Sequence, residues 1–116
     1  MKVRLPKGVG GGPQNMDAMM RQVQKFQEER EALAADLESR EYDIAAGGGM
    51  ITLKIDGTLR VNEIKIKPEI IDPDDPEMLE DIIVAAVNEG IARVQDASAA
   101  EMSALAAKFG IPDGAF

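Results

Sequence analysis

Arg21 and Lys25 stand four residues apart, and Lys2, Arg4 and Lys7 precede them on a stretch without hydrophobic period. Residues four apart share one face of a helix, so the pair presents two cations side by side. Cations that reach phosphates and release their counterions are what duplex DNA binding needs, with or without base reading. On a single helix such a pair is ordinarily a solvated face. Duplicated by a two-fold dimer, it becomes a clamp for DNA. Arg93 and Lys108 are weaker candidates in the C-terminal half.

Other chemistry finds few players. The chain has no cysteine and no histidine, which removes disulfides, thiolate zinc sites, cysteine nucleophiles and imidazole bases. The carboxylates Asp72, Asp74, Asp75 and Glu77 could face a hard cation, but they lack the EF-hand spacing and its terminal glutamate, and a helix start explains them. The glycine clusters at 8–12 and 47–49 have neither the lysine and hydroxyl of a phosphate loop nor its strand-to-helix setting, so they read as linker and strand break. The expectation is a protein that is not an enzyme and takes no cofactor, metal or small-molecule substrate.

A net charge of −8 opposes DNA binding only if it is evenly spread. Residues 1–27 carry the five cations named first against Asp17 alone, whereas residues 68–116 carry eleven acids against Arg93 and Lys108. The acidic excess therefore lies away from the candidate site. Aromatics are 3% of the chain, too few to make base-stacking platforms, which argues against a single-strand or RNA reader. No stretch approaches the roughly 20 apolar residues of a membrane span, and the N-terminus has no apolar signal core. A cytoplasmic protein is expected, with no membrane partner.

The elements that must position these residues follow from periodicity. Residues 1–14, rich in glycine and proline, read as a flexible arm. From Asn15 as N-cap, Met16, Met19, Val23, Phe26, Leu33 and Leu37 recur in steps of three and four, a narrow stripe suited to packing on another helix. Arg30 interrupts that stripe and is expected to snorkel, and the methionines are adaptable packing. Residues 41–46 form a short strand ended by Gly47–49, and residues 50–56 alternate as a strand with one wet face bearing Lys54. A three-residue loop with Gly57 left-handed would pair Leu59 with Leu53 and Val61 with Ile51, and a bulge near Asn62-Glu63 would return Ile64 and Ile66 to the same face. Lys65 and Lys67 fall on the wet side.

The last helix should run from Pro76 to about Lys108, with Asp75 as N-cap and Glu77, Glu80 and Asp81 favourable against its dipole. Asn88, on an otherwise apolar stretch, reads as a buried amide fixing helix pairing, and Gly90 as a tight contact or a bend. Gly110 and Pro112 stop the helix, leaving 111–116 as a tail. Both long helices overhang strands of about 23 Å, so a homodimer is the natural way to bury them. Leu79, Ile83, Val87, Ile91 and Val94, or the matching sheet residues, are the candidate dimer surface.

Three segments, GGGMITLKIDG (47–57), IKIKPEIIDPDDPEMLEDIIVAAVNEGI (64–91) and FGIPDGAF (109–116), together with the leading amphipathic helix, resemble the YbaB/EbfC family of small nucleoid-associated proteins over nearly the whole chain. The resemblance implies an α+β fold: an α–β–α protomer with a three-stranded antiparallel sheet flanked by two long helices, forming a homodimer. It also implies sequence-tolerant binding of double-stranded DNA at the nucleoid, with effects on gene expression. The competing expectation is a structural homodimer whose acidic helices bind a protein partner and which has no direct DNA role.

Overall fold

The computed structural model describes residues 13–111, with side chains from Asn15 onward. The elements in chain order are α1 (Pro13–Ser39), β1 (Glu41–Ala46), β2 (Ile51–Asp56), β3 (Val61–Ile66), a short 3-10 turn (Pro68–Ile70) and α2 (Pro76–Lys108). The three strands form one antiparallel sheet in the order β1-β2-β3. This is the α+β, α–β–α arrangement that the hydrophobic periods specify.

Alternation fixes the face of the sheet. Ile44 lies opposite Leu53, and Tyr42 and Ala46 opposite Ile55 and Ile51, so every apolar side chain of this set on β1 and β2 points the same way. Ile44, Ile51, Leu53 and Ile55 are almost wholly enclosed, and with Ala86 and Val94 of α2 they make the core. At roughly 2 kcal/mol for each large aliphatic side chain enclosed, these few residues carry much of the hydrophobic stabilisation. The other face bears a row of alternating charge, Asp43 beside Lys54 beside Glu63. Lys54 Nζ lies 3.4 Å from Asp43, whose charge is the main reason its pKa is raised.

The β2–β3 register differs from the expected one. Ile55 pairs with Val61, Leu53 with Ile64 and Ile51 with Ile66, and the slip between Lys54 and Ile55 leaves Asn62 unpaired in the ladder. The bulge thus falls where parity required it, and it brings all three β3 apolar residues onto the core face. The pairings of Leu59 with Leu53 and of Val61 with Ile51 do not form. The left-handed residue of the loop is Leu59 (φ 66°), not Gly57. Gly57 is consumed by a different demand: its N–H donates to the Arg40 carbonyl (2.9 Å), and a Cβ there would sit 1.8 Å from the Leu37 carbonyl oxygen. The hairpin loop is in this way locked against the last turn of α1.

At the other hairpin, Gly47, Gly48 and Gly49 all take positive φ, a reversal only glycine makes cheaply. α2 starts as its residues dictate: Pro76 occupies the first turn and the Asp75 carboxylate accepts from the Met78 N–H at 3.3 Å. Asp72 accepts from the Asp74 N–H at 2.9 Å, so two carboxylates of the acidic run serve the turn and the cap. The helix continues through Gly90, whose missing side chain lets it approach Ile55 and Ile44. Gly90 is therefore a tight contact. Asn88 is exposed on the protomer, and the buried amide expected there is not found, because the sheet-facing stripe runs through Ala86, Gly90 and Val94 instead.

Candidate nucleic-acid interface

α1 has two halves with different surroundings. Its C-terminal half runs antiparallel to the end of α2: Leu37 is 6% exposed, and the Phe26 ring meets the Phe109 ring edge-on at 5.3 Å. Polar contacts tie the same half down. Arg40 reaches Asp36 (2.6 Å) on α1 and Glu101 on α2, and Lys108 Nζ lies 2.8 Å from Glu29. The hydrogen bonds to Glu101 and Asp36 push the Arg40 pKa upward, holding the guanidinium charged. These pairs are largely solvated, so they set direction more than they add stability.

Beyond Phe26 the cover ends, because α2 stops at Lys108. Residues 13–25 continue the helix for roughly 20 Å at the standard helical rise, and residues 15–25 are all exposed. Helix α1 begins at Pro13, two residues before the Asn15 N-cap expected from sequence, with proline suited to the first turn. Arg21 and Lys25 both lie on this projecting half, both exposed. Neither makes a hydrogen bond or ion pair among the described residues. With Asp17 as its only acid, the projection carries more positive than negative charge, while α2 is acid-rich.

The other expected contacts are distributed unevenly. Lys2, Arg4 and Lys7 lie outside the described residues. Arg93 is exposed on α2, whereas Lys108 is engaged by Glu29 and stands 5.7 Å over the Phe109 ring. Arg30 is exposed on α1. Sequence reasoning does not single out the Arg40 cluster that aims the projecting half, although the Asp36–Arg40 spacing of four is a legible signal. It also passes over Arg60, exposed at the hairpin.

The five residues named for a dimer surface lie on the α2 stripe facing the sheet. Val94 is buried, and Leu79, Ile83, Val87 and Ile91 are partly buried against the core. The sheet itself is left partly uncovered. α2 packs over β1 and β2, while Val61 and Ile64, on the core face of β3, remain 40% exposed each. Among the described residues no helix is long and apolar enough to cross a membrane.

A three-stranded sheet flanked by two long helices, one of which carries the exposed Arg21 and Lys25 beyond the other's end, defines a small α+β protein. Residues 11–109 match the YbaB/EbfC DNA-binding family, and the chain belongs to that family, which is not enzymatic. It is 47% identical over 105 residues to a nucleoid-associated protein of Alkaliphilus metalliredigens, covering 90% of this chain and 91% of that protein. It is 40% identical over 105 residues to nucleoid-associated protein CA_C0126 of Clostridium acetobutylicum, covering 90% and 92%. Among solved structures, uncharacterized protein HP0035 from Helicobacter pylori superposes with a TM-score of 0.52 at 19% identity, over 64% of this chain and 86% of that one, a likeness of fold.

Proposed function

We propose that this protein binds duplex DNA as a homodimer with little sequence specificity, at the nucleoid, and so affects nucleoid organisation and gene expression. The observation that carries the reading is the exposed Arg21–Lys25 pair on the projecting half of α1, in a chain of a DNA-binding family. Phosphate contact needs cations that are free, exposed and held at a fixed spacing, and the covered half of α1 supplies the fixed direction. Lys2, Arg4 and Lys7, ahead of the helix in sequence, add further phosphate contacts. The contacts named are to the DNA backbone, which carries no sequence information directly, and this supports tolerance of sequence.

The homodimer covers what one protomer leaves exposed. Val61 and Ile64 on β3, beside the half-buried stripe of Leu79, Ile83, Val87 and Ile91, continue the apolar surface on which Val94 is already buried. A two-fold axis through that surface duplicates α1 and yields two cationic projections. The test is fluorescence anisotropy with two labelled duplexes of unrelated sequence at two salt concentrations. Similar binding of both that weakens steeply with salt supports the proposal. Failure to bind either at low salt moves the assignment to a dimer that docks a protein partner.

A further inference from the structure

The β2–β3 hairpin turns on Asp56-Gly57, a pair whose own covalent chemistry DNA binding does not use. In such a pair the glycine nitrogen can attack the aspartate side chain: Gly57 N bonds to Asp56 Cγ, the carboxyl OH leaves with the amide hydrogen as water, and a five-membered succinimide closes. Water then reopens the ring. Breaking the Cγ–N bond restores aspartate, whereas breaking the bond from nitrogen to the Asp56 main-chain carbonyl carbon leaves isoaspartate, whose main chain runs through Cβ and Cγ. One water is lost and one regained, and nothing is oxidised or reduced. Glycine hinders closure least, because it has no Cβ.

The fold opposes each requirement of that reaction. Attack needs the Gly57 nitrogen free, and its N–H donates to the Arg40 carbonyl at 2.9 Å. Closure needs a neutral carboxyl with an OH to lose, but the Asp56 carboxylate accepts from the Thr58 hydroxyl, the Asn62 amide (3.0 Å) and the Thr58 and Arg60 N–H groups (2.9 and 3.2 Å), which favour its charged form. Closure also needs Gly57 to swing, yet a point one bond from its Cα already lies 1.8 Å from the Leu37 carbonyl oxygen of α1. The Asp56 main-chain carbonyl, where water must arrive to give isoaspartate, accepts from the Leu59 N–H at 2.9 Å. We infer that Asp56-Gly57 is a conditional modification site, closed while the last turn of α1 rests on the hairpin loop and open to isoaspartate formation when the two part. The product does not fit the lock. Isoaspartate adds a methylene to the main chain just before the N–H that must meet Arg40, and its free carboxylate sits on Cα, one methylene short of the old one. Isomerisation thus turns a reversible parting of loop and helix into a lasting one.

The test ages four samples side by side at one neutral pH and temperature: the native chain, the Leu37→Val and Leu37→Ala chains, and a free peptide of residues 50–62. Leu37 lies on α1, outside the reacting pair, and is 6% exposed, so trimming it loosens the helix without touching the chemistry. Circular dichroism establishes which chains are folded. Trypsin releases Ile55–Arg60, whose isoaspartyl form has the same mass but a different retention, and Asp113-Gly114 falls on another peptide. The free peptide is expected to isomerise about ten-fold or more faster than the native chain, whose reaction waits on local opening. The rate in the folded chains rises several-fold from native to Leu37→Val and again to Leu37→Ala. Brief trypsin treatment of the aged, folded chain cuts after Arg40 first in the isoaspartyl fraction. A native chain that isomerises as fast as the peptide, or a folded Leu37→Val chain that keeps the native rate, overturns the proposal. No sample contains DNA, so this failure and a failure of the DNA-binding reading are read separately.

Discussion

Substituting Gly57 by alanine tests how the projecting helix is held. Gly57 has no left-handed φ to protect, so the substitution acts only through space: the new Cβ would lie 1.8 Å from the Leu37 carbonyl oxygen, 2.7 Å from its carbon and 2.8 Å from the Glu38 Cα. All three neighbours are backbone, and no rotamer change relieves them. The hairpin loop and the last turn of α1 must part by at least the 1.2 Å that separates 1.8 Å from the 3.0 Å closest approach of real Cβ atoms. Parting costs the Gly57 N–H bond to Arg40, about 1 kcal/mol, and part of the burial of Leu37, about 1–2 kcal/mol. The expected loss is about 2–3 kcal/mol, a large share of a typical domain stability of about 5–15 kcal/mol. Urea unfolding followed by far-ultraviolet circular dichroism reads it directly. A Gly57→Ala chain within about 0.5 kcal/mol of the native one, a scale typical of unimportant surface changes, would refute the lock between loop and helix.

Three further outcomes follow from particular contacts. The Asp56 carboxylate accepts from the Thr58 hydroxyl, from the Asn62 amide (3.0 Å) and from the Thr58 and Arg60 N–H groups, which hold its pKa down to about 2 from 3.8. A depressed carboxylate pKa contributes stability that is present above the unfolded value and is lost as pH falls through the folded one, so an acid titration should show hairpin stability falling between about pH 4 and 2, and Asp56→Asn should flatten that slope. Asp75→Ala removes the cap of α2 and should cost about 1 kcal/mol in the same urea assay. Ile64→Glu places a charge on the uncovered face of β3, and under the proposed homodimer light scattering should report a dimer for the native chain and a protomer for the variant, with unfolding of the protomer still cooperative.

The parts of the fold that are legible in the sequence share a cause: local chemistry decides them. Pro76 and Asp75 fix the start of α2 wherever the helix lies, and alternation through Ile51, Leu53 and Ile55 fixes the face of β2. The loop at residues 57–60 departs from expectation because two demands compete there. Turn propensity assigns the left-handed position to glycine, yet Gly57 is needed for close approach to α1, a tertiary demand with no sequence mark, and Leu59 takes the left-handed conformation instead. Asn88 departs for a related reason, since an apolar stretch does not say which of its sides meets the sheet. In the candidate site the cationic pair and the α1 seam are visible as spacing. Which half of that seam is covered depends on where α2 ends against Phe26, and spacing alone does not contain that.

The central claim is that the exposed Arg21–Lys25 pair contacts DNA phosphate. Salt titration of duplex binding by fluorescence anisotropy, with the native chain beside an Arg21→Ala, Lys25→Ala double variant, tests it most directly. The account predicts weaker binding by the variant and a shallower dependence of log affinity on log salt, by about 0.9 for each phosphate that is no longer neutralised. A variant that binds with native affinity and native salt slope would contradict it.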